Sequence, residues 1–107
     1  MEQTEGKRQD TVNCTNDNWD FVMDINLTGV WKSMKYEIPK MLKNENGGSI
    51  VNISSIAGLV GFDDIPAYVA SKHGVVGITK ATSLEYSAEG VRVNAVCPAV
   101  IETEMIE

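Results

Sequence analysis

The chain has 107 residues and a formal net charge of −6, with 43% hydrophobic and 22% charged residues. This length supports one domain with a modest core, and the composition is ordinary for a globular protein. The negative charge argues against a surface that binds nucleic acid or an anionic membrane.

Signals for membranes, disulfides and metals are also missing from the sequence pattern. No apolar run reaches the ~18 residues of a membrane span, and the polar start "MEQTEGKRQDT" lacks the apolar core of a secretory signal. Cys14 and Cys97 lie far apart, which predicts reduced thiols in a cytoplasmic protein. His73 is the only histidine, and no cluster has metal-ligand spacing, so we predict no metal.

The first half of the chain predicts a flexible segment and then a long helix. Residues 1–14 are polar and show no periodicity, which is typical of a flexible terminus. Thr15 or Asn16 is suited to cap a helix that runs to about Asn44, with Pro39 expected to kink or loosen its end. Apolar residues three and four apart predict its buried face: Leu27, Val30, Trp31, Met34, Ile38, Met41 and Leu42.

The second half predicts a strand, a helix and a second strand. The β-branched run "SIVNIS", residues 49–54, is typical of a buried parallel strand. A helix is expected from Pro66 to about Ala88, with Gly90 ending it. The run "VRVNAVCP", residues 91–98, is the second strand. The order helix, strand, helix, strand therefore predicts an α/β fold, a segment of a doubly wound parallel sheet that belongs to a larger domain.

Two tyrosines precede a lysine by four residues, and their settings differ. Tyr68 and Lys72, in "AYVASK", fall in the first turns of the helix that follows a strand. Ligands of open α/β sheets bind at the carboxyl ends of strands, so this pair is expected to face a crevice. Tyr36 and Lys40 lie late in a helix, beside a proline, and we interpret them as an exposed tyrosine and a solvated lysine.

The chemistry favoured by the first pair is proton transfer. A free tyrosine has a pKa of about 10, too high for easy exchange near neutrality. Residues four apart are neighbours on a helix, and a unit charge at about 4 Å contributes roughly 4 kcal/mol at an effective dielectric of about 20. Lys72 can therefore stabilise the phenolate of Tyr68, which suits a general acid/base. A hydroxyl from Ser55, at the strand end, could orient the reacting oxygen.

Three runs carry a family resemblance: "GGSIVNISSIAGLVG", "AYVASKHGVVGITKA" and "VRVNAVCPAVIETEM". Together they resemble the catalytic half of the short-chain dehydrogenase/reductase family, especially bacterial members of the 3-oxoacyl-acyl-carrier-protein reductase and glucose dehydrogenase type. The resemblance implies that residues 15–107 form this half of a Rossmann-type domain. Ser55 lies thirteen positions before Tyr68, which is the family's usual interval, so the resemblance selects Ser55 over Ser54. The segment "INLTG" resembles the family's asparagine segment, so Asn26 completes the set.

What this resemblance implies is reversible hydride transfer between NAD or NADP and a ketone or secondary alcohol. Tyr68 would exchange the substrate proton, and Lys72 would stabilise its phenolate and bind the nicotinamide ribose. Ser55 would hold the substrate oxygen and Asn26 a water of the proton relay. The segment "PAVIET" resembles the turn that lies beside the nicotinamide, which implies contacts from Pro98, Ile101 and Thr103.

Two departures from the family pattern qualify this expectation. Ala99 stands where the family commonly has glycine. The glycines also form no Gly-rich turn of the kind that holds a cofactor diphosphate. We therefore expect a partial chain that keeps the proton-transfer residues and lacks the N-terminal βαβ cofactor half. The alternative is a non-enzymatic remnant that acts as an interaction module. The resemblance also implies a homo-oligomer, because family members usually pair through these two long helices, and their apolar faces favour self-association.

Overall fold

The computed structural model describes residues 8–98, and helices alternate with strands along them. In chain order the elements are helix α1 (Asn16–Met23), a π-helical turn (Asp24–Thr28), helix α2 (Gly29–Leu42), strand β1 (Gly48–Ile53), a 3-10 turn (Ile56–Gly58), helix α3 (Pro66–Tyr86), a second 3-10 turn (Ser87–Glu89) and strand β2 (Val91–Val96). This order confirms the predicted α/β segment.

The first helix begins where the capping pattern predicts. The Oγ1 of Thr15 accepts a hydrogen bond from the backbone N–H of Asn18 at 3.0 Å, and Asp17 lies in the first turn of α1. The cap satisfies one of the free N–H groups at the helix start, and the carboxylate complements the positive end of the helix dipole.

A π-helical turn separates α1 from α2, whereas the sequence predicted one regular helix. The N–H of Gly29 bonds to the carbonyl of Asp24, five residues back instead of four. The wider turn accommodates one extra residue, so the side chains after it are rotated relative to those before it. Asn26 lies at the centre of this turn.

The predicted buried face of α2 is confirmed at its centre and wrong at two positions. Met34 and Ile38 form the core with Val91 and Val93 of β2. Trp31 is 44% exposed and Leu42 is 39% exposed. Two strands are too narrow to cover the whole apolar face of the helix, which leaves these side chains at its margins. The helix passes Pro39 and ends three residues later.

The two strands pair in parallel with Gly48 opposite Val91 and Ile53 opposite Val96. The Nδ2 of Asn52 donates to Thr79 Oγ1 at 2.9 Å and contacts Met34 Sδ at 3.4 Å, so β1 is joined to both α3 and α2 in the interior. The parallel pairing places the carboxyl ends of both strands at the same edge of the sheet.

Within residues 8–98, no helix combines the length and apolar character that crossing a membrane requires.

Candidate active site

The carboxyl end of β1 carries two consecutive serines with different surroundings. Ser54 is buried, its N–H bonds to Val96 O at 2.7 Å, and its Oγ donates to the carbonyl oxygen of Lys72 at 2.9 Å. The hydroxyl of Ser54 therefore fastens the strand end to α3. Ser55 is half-buried, and its Oγ accepts the N–H of Ala57 at 2.8 Å.

The proton of the Ser55 hydroxyl has no acceptor within residues 8–98. A serine hydroxyl can donate one hydrogen bond while it accepts another. Ser55 is thus held in place by the turn that follows it and still has a proton to offer a ligand.

Tyr68 and Lys72 lie one turn apart near the start of α3, on the same side of the helix. The Nζ of Lys72 is 5.5 Å from the centroid of the Tyr68 ring, within the range of a cation–π contact. Both side chains are half-buried. The ammonium of Lys72 makes no hydrogen bond or ion pair in the described part of the chain.

The second tyrosine–lysine pair shows that this spacing is not sufficient to mark a site. The Nζ of Lys40 lies 3.9 Å from the centroid of the Tyr36 ring, closer than in the first pair. Tyr36 is 64% exposed on α2 and lines none of the cavities found near the strand ends. What distinguishes Tyr68 is therefore its place beside Ser55.

A cavity of about 280 Å³ lies between the end of β1, the loop after it and the start of α3. The hydroxyl-bearing residues Ser55 and Tyr68 both line it. The rest of its wall comes from Ile56, Ala57, Phe62, Ile65 and Pro98. The N–H of Ile56 bonds to Pro98 O at 3.0 Å, which joins the two strand ends at the cavity.

Four of the residues predicted from the sequence are thus placed together: Ser55, Tyr68 and Pro98 on the cavity wall, with Lys72 against the Tyr68 ring. Ile101 and Thr103 lie outside the described residues, as does Ala99.

Asn26 is hydrogen-bonded to α3 through the hydroxyl of Ser71. Its Nδ2 donates to the Oγ of Ser71 at 3.3 Å, and the Ser71 hydroxyl donates to the carbonyl oxygen of Tyr68 at 2.8 Å. Ser71 is 0% exposed. Asn26 is therefore connected through one buried hydroxyl to the backbone of Tyr68, and it does not line the cavity.

Replacing Ser71 with alanine is expected to lower the free energy of unfolding by about 1–2 kcal/mol, because the buried Ser71 hydroxyl accepts from the Asn26 amide and donates to the carbonyl oxygen of Tyr68, and both hydrogen bonds are lost. Denaturant titration followed by tryptophan fluorescence measures this change. Ser33→Ala removes a hydroxyl from the exposed side of α2 and is expected to stay within about 0.5 kcal/mol of the unchanged chain. Equal effects of the two substitutions would contradict the connection.

Gly58 allows the 3-10 turn after Ser55 to lie directly on α3. A Cβ at this position would come 2.5 Å from Ser54 Oγ and 2.9 Å from Lys72 O. Only a residue without a side chain fits there without displacing one of them. The sequence offered Ser54 only as the alternative to Ser55, and it gave no role to Ser71 or Gly58, since serine and glycine are too common for their type alone to predict such contacts.

Comparison with known proteins gives a consistent set of relatives. The family model described as short chain dehydrogenase matches residues 5–107. Cyclohexanol dehydrogenase of Acinetobacter sp. (strain SE19) is 48% identical over 101 residues, covering 94% of this chain and 40% of the relative. The (-)-trans-carveol dehydrogenase of Rhodococcus erythropolis is 48% identical over 89 residues, covering 83% of this chain and 32% of the relative.

Solved structures agree with the sequence relatives. Carveol dehydrogenase from Mycobacterium avium in complex with NAD has a TM-score of 0.86 at 35% identity, covering 98% of this chain and 38% of that structure. Levodione reductase has a TM-score of 0.84 at 36% identity, covering 92% of this chain and 38% of that structure. The chain spans 40% or less of the length of these relatives. It belongs to the short-chain dehydrogenase/reductase family.

Proposed function

We propose that residues 15–107 supply the proton-transfer half of an NAD(P)-dependent oxidoreductase that interconverts ketones and secondary alcohols. The observation that carries the proposal is the shared cavity: the hydroxyl-bearing residues Ser55 and Tyr68 line one wall, with the Lys72 ammonium over the Tyr68 ring. Two donors and a nearby cation suit an oxygen that alternates between carbonyl and alcohol.

The residues present fit the nicotinamide end of a dinucleotide. Lys72 is half-buried, and its ammonium has no hydrogen-bonding partner in residues 8–98, so it can donate to ribose hydroxyls. Pro98, together with Ile101 and Thr103, would flank the nicotinamide. When bound, the reduced cofactor supplies the hydride. NAD and NADP are both compatible with this set, and the Mycobacterium avium relative was solved with NAD.

The chain's own residues would move the proton as follows. Ser55 donates a hydrogen bond to the carbonyl oxygen and holds it beside Tyr68. As the ketone is reduced, the Tyr68 hydroxyl gives its proton to that oxygen, and in the reverse direction the phenolate takes it back. Lys72 stabilises the phenolate by its positive charge. Asn26 would hold a water that returns the proton, while its amide also positions α3 through Ser71.

The proposal is tested with a chimera, because it concerns the half that this chain supplies. The aligned part of the Acinetobacter cyclohexanol dehydrogenase, 40% of that protein, is replaced by the matching residues of this chain. Cyclohexanol oxidation is then followed by the absorbance of the reduced nicotinamide, with NAD and with NADP. We expect turnover with at least one of them. A chimera that folds and binds cofactor without turnover would contradict the proposal and favour the interaction-module alternative.

We also propose that copies of the chain associate through the two long helices. An apolar groove between α2 and α3 supports this, with Leu27, Trp31, Gly77, Ile78 and Ala81 on its walls. Glutamate at position 77, where an added Cβ would have nothing within 4 Å, would put a charge in the groove without disturbing the fold. Sedimentation equilibrium should show a dimer weakened at least about tenfold by Gly77→Glu, and unchanged by Ser33→Glu on the exposed side of α2. A monomeric wild-type chain would contradict the proposal.

We propose a cytoplasmic location as well. Cys14 and Cys97 are free thiols in the structure, and a reducing compartment would keep them so.

A further inference from the structure

The wall of the cavity beside Ser55 and Tyr68 is mostly apolar. Ile56, Phe62 and Ile65 contribute large apolar side chains to it, and among residues 8–98 no charged side chain lines it. Its volume of about 280 Å³ lies just below the 300–1,000 Å³ that is usual for pockets of drug-sized ligands. The space therefore suits a compact ligand with a largely apolar body.

The polar groups on this wall match a single ligand oxygen. Ser55 has a single O–H and can donate one hydrogen bond, while one of its lone pairs accepts the Ala57 N–H at 2.8 Å. Tyr68 supplies the second hydroxyl. Two donors satisfy the two lone pairs of a ketone oxygen. A carboxylate has about four acceptor sites and a full charge, and it would lie against Phe62 and Ile65 with most of them unpaired.

The charged side chains near the cavity in residues 8–98 do not neutralise the charge of an anionic ligand. Asp63 and Asp64 follow Phe62 in the loop and are exposed. The Arg8 guanidinium lies 3.7 Å from the Asp63 carboxylate, and the Lys72 ammonium lies over the Tyr68 ring and not on the cavity wall. Within residues 8–98, these two cations and two carboxylates sum to zero, so they supply no excess of positive charge to attract a negative ligand.

We infer that this cavity selects compact, uncharged, apolar ketones and secondary alcohols and discriminates against carboxylates and other anionic substrates. The inference deepens the proposed function by naming the substrate class of the same site. Binding of such ligands to the cavity wall needs neither cofactor nor turnover.

The test compares two ligands of similar shape and different charge on the full chain. Amide resonances of the ¹⁵N-labelled protein are followed during titration with cyclohexanone and, separately, with cyclohexanecarboxylate. We expect cyclohexanone to shift Ile56, Phe62 and Ile65 and to bind at least about tenfold more tightly than the carboxylate. Phe62→Ala should weaken cyclohexanone binding. Leu59→Ala removes an exposed apolar side chain from the same loop, outside the cavity wall, and should leave binding unchanged.

Three outcomes would overturn the inference: carboxylate binding within about threefold of the ketone, ketone-induced shifts confined to other parts of the chain, or displacement of cyclohexanone by 1-methylnicotinamide at the same residues. The last result would assign the cavity to the cofactor ring. Failure of the proposed function is a separate result, because an inactive chimera is compatible with selective ketone binding, and an active chimera is compatible with a cavity that accepts anions.

Discussion

Replacing Tyr68 with phenylalanine is expected to lower kcat of the chimera by about 10²–10⁴, the usual contribution of a positioned general acid/base. The substitution removes only the hydroxyl, so the ring keeps its place on the cavity wall and under Lys72. The loss should fall on kcat more than on KM, because proton transfer belongs to the transition state and the apolar wall that holds the substrate is unchanged. Steady-state oxidation of cyclohexanol measures both constants.

Tyr36→Phe is the matched control for this prediction. It also removes a tyrosine hydroxyl. The ring of Tyr36 has a lysine four residues later along the helix, with Lys40 Nζ 3.9 Å from the ring centroid. Because Tyr36 is exposed and away from the cavity, kcat should stay within about twofold of the unchanged chimera. Comparable losses from both substitutions, or a Tyr68→Phe variant with full kcat, would remove Tyr68 from the proton-transfer role.

Gly47→Ala is expected to lower the free energy of unfolding by about 2–5 kcal/mol. Gly47 has a φ of +70°, which side chains with a Cβ rarely adopt, and an added Cβ would overlap the carbonyl group of Gly90, lying 2.8 Å from its carbon. That carbonyl also accepts the N–H of Gly48 at 3.1 Å, the contact that opens the pairing of β1 with β2. Urea unfolding followed by tryptophan fluorescence measures the loss.

Gly61→Ala provides the comparison for this substitution. It adds the same methyl group in a loop position where nothing lies within 4 Å of the new Cβ. We expect a change of less than about 0.5 kcal/mol there. If Gly47→Ala unfolds at the same urea concentration as Gly61→Ala, the close approach of residues 47 and 90 does not exist in solution.

Sequence patterns were sufficient for the elements whose signals are local. The β-branched runs in β1 and β2 and the Thr15 cap are short-range features, and each element lies within two residues of its predicted bounds. Gly90 ends the predicted helix region with a φ of +89°, as a residue without Cβ can do. The parallel pairing followed from the length of the helix between the strands.

Features that depend on contacts between distant segments were not predictable in this way. The π-helical turn at Asp24–Thr28 has no local sequence signal, and it places Asn26 against Ser71, 45 residues further along. Trp31 fits the apolar period of α2 and is nevertheless exposed, because burial depends on what lies opposite the helix. Periodicity identifies an apolar face and not the element that covers it.

In the candidate site, too, the sequence predicted some residues and missed others whose positions depend on contacts between distant segments. The interval before Tyr68 selected Ser55, which lines the cavity, whereas the Oγ of Ser54 donates to the carbonyl oxygen of Lys72. The apolar wall contributed by Phe62 and Ile65 was not predicted, because the loop "FDDI" has no diagnostic pattern. Its role emerges only when the loop is folded back beside Tyr68.

The carbonyl ¹³C chemical shift of labelled cyclohexanone bound to the chain reports whether the hydroxyls of Ser55 and Tyr68 both donate hydrogen bonds to one ligand oxygen. We predict a bound resonance well downfield of its position in an apolar solvent, moving upfield toward that position in the Ser55→Ala, Tyr68→Phe double variant. A bound carbonyl that resonates as in apolar solvent, or one that the double variant leaves unmoved, would contradict the account.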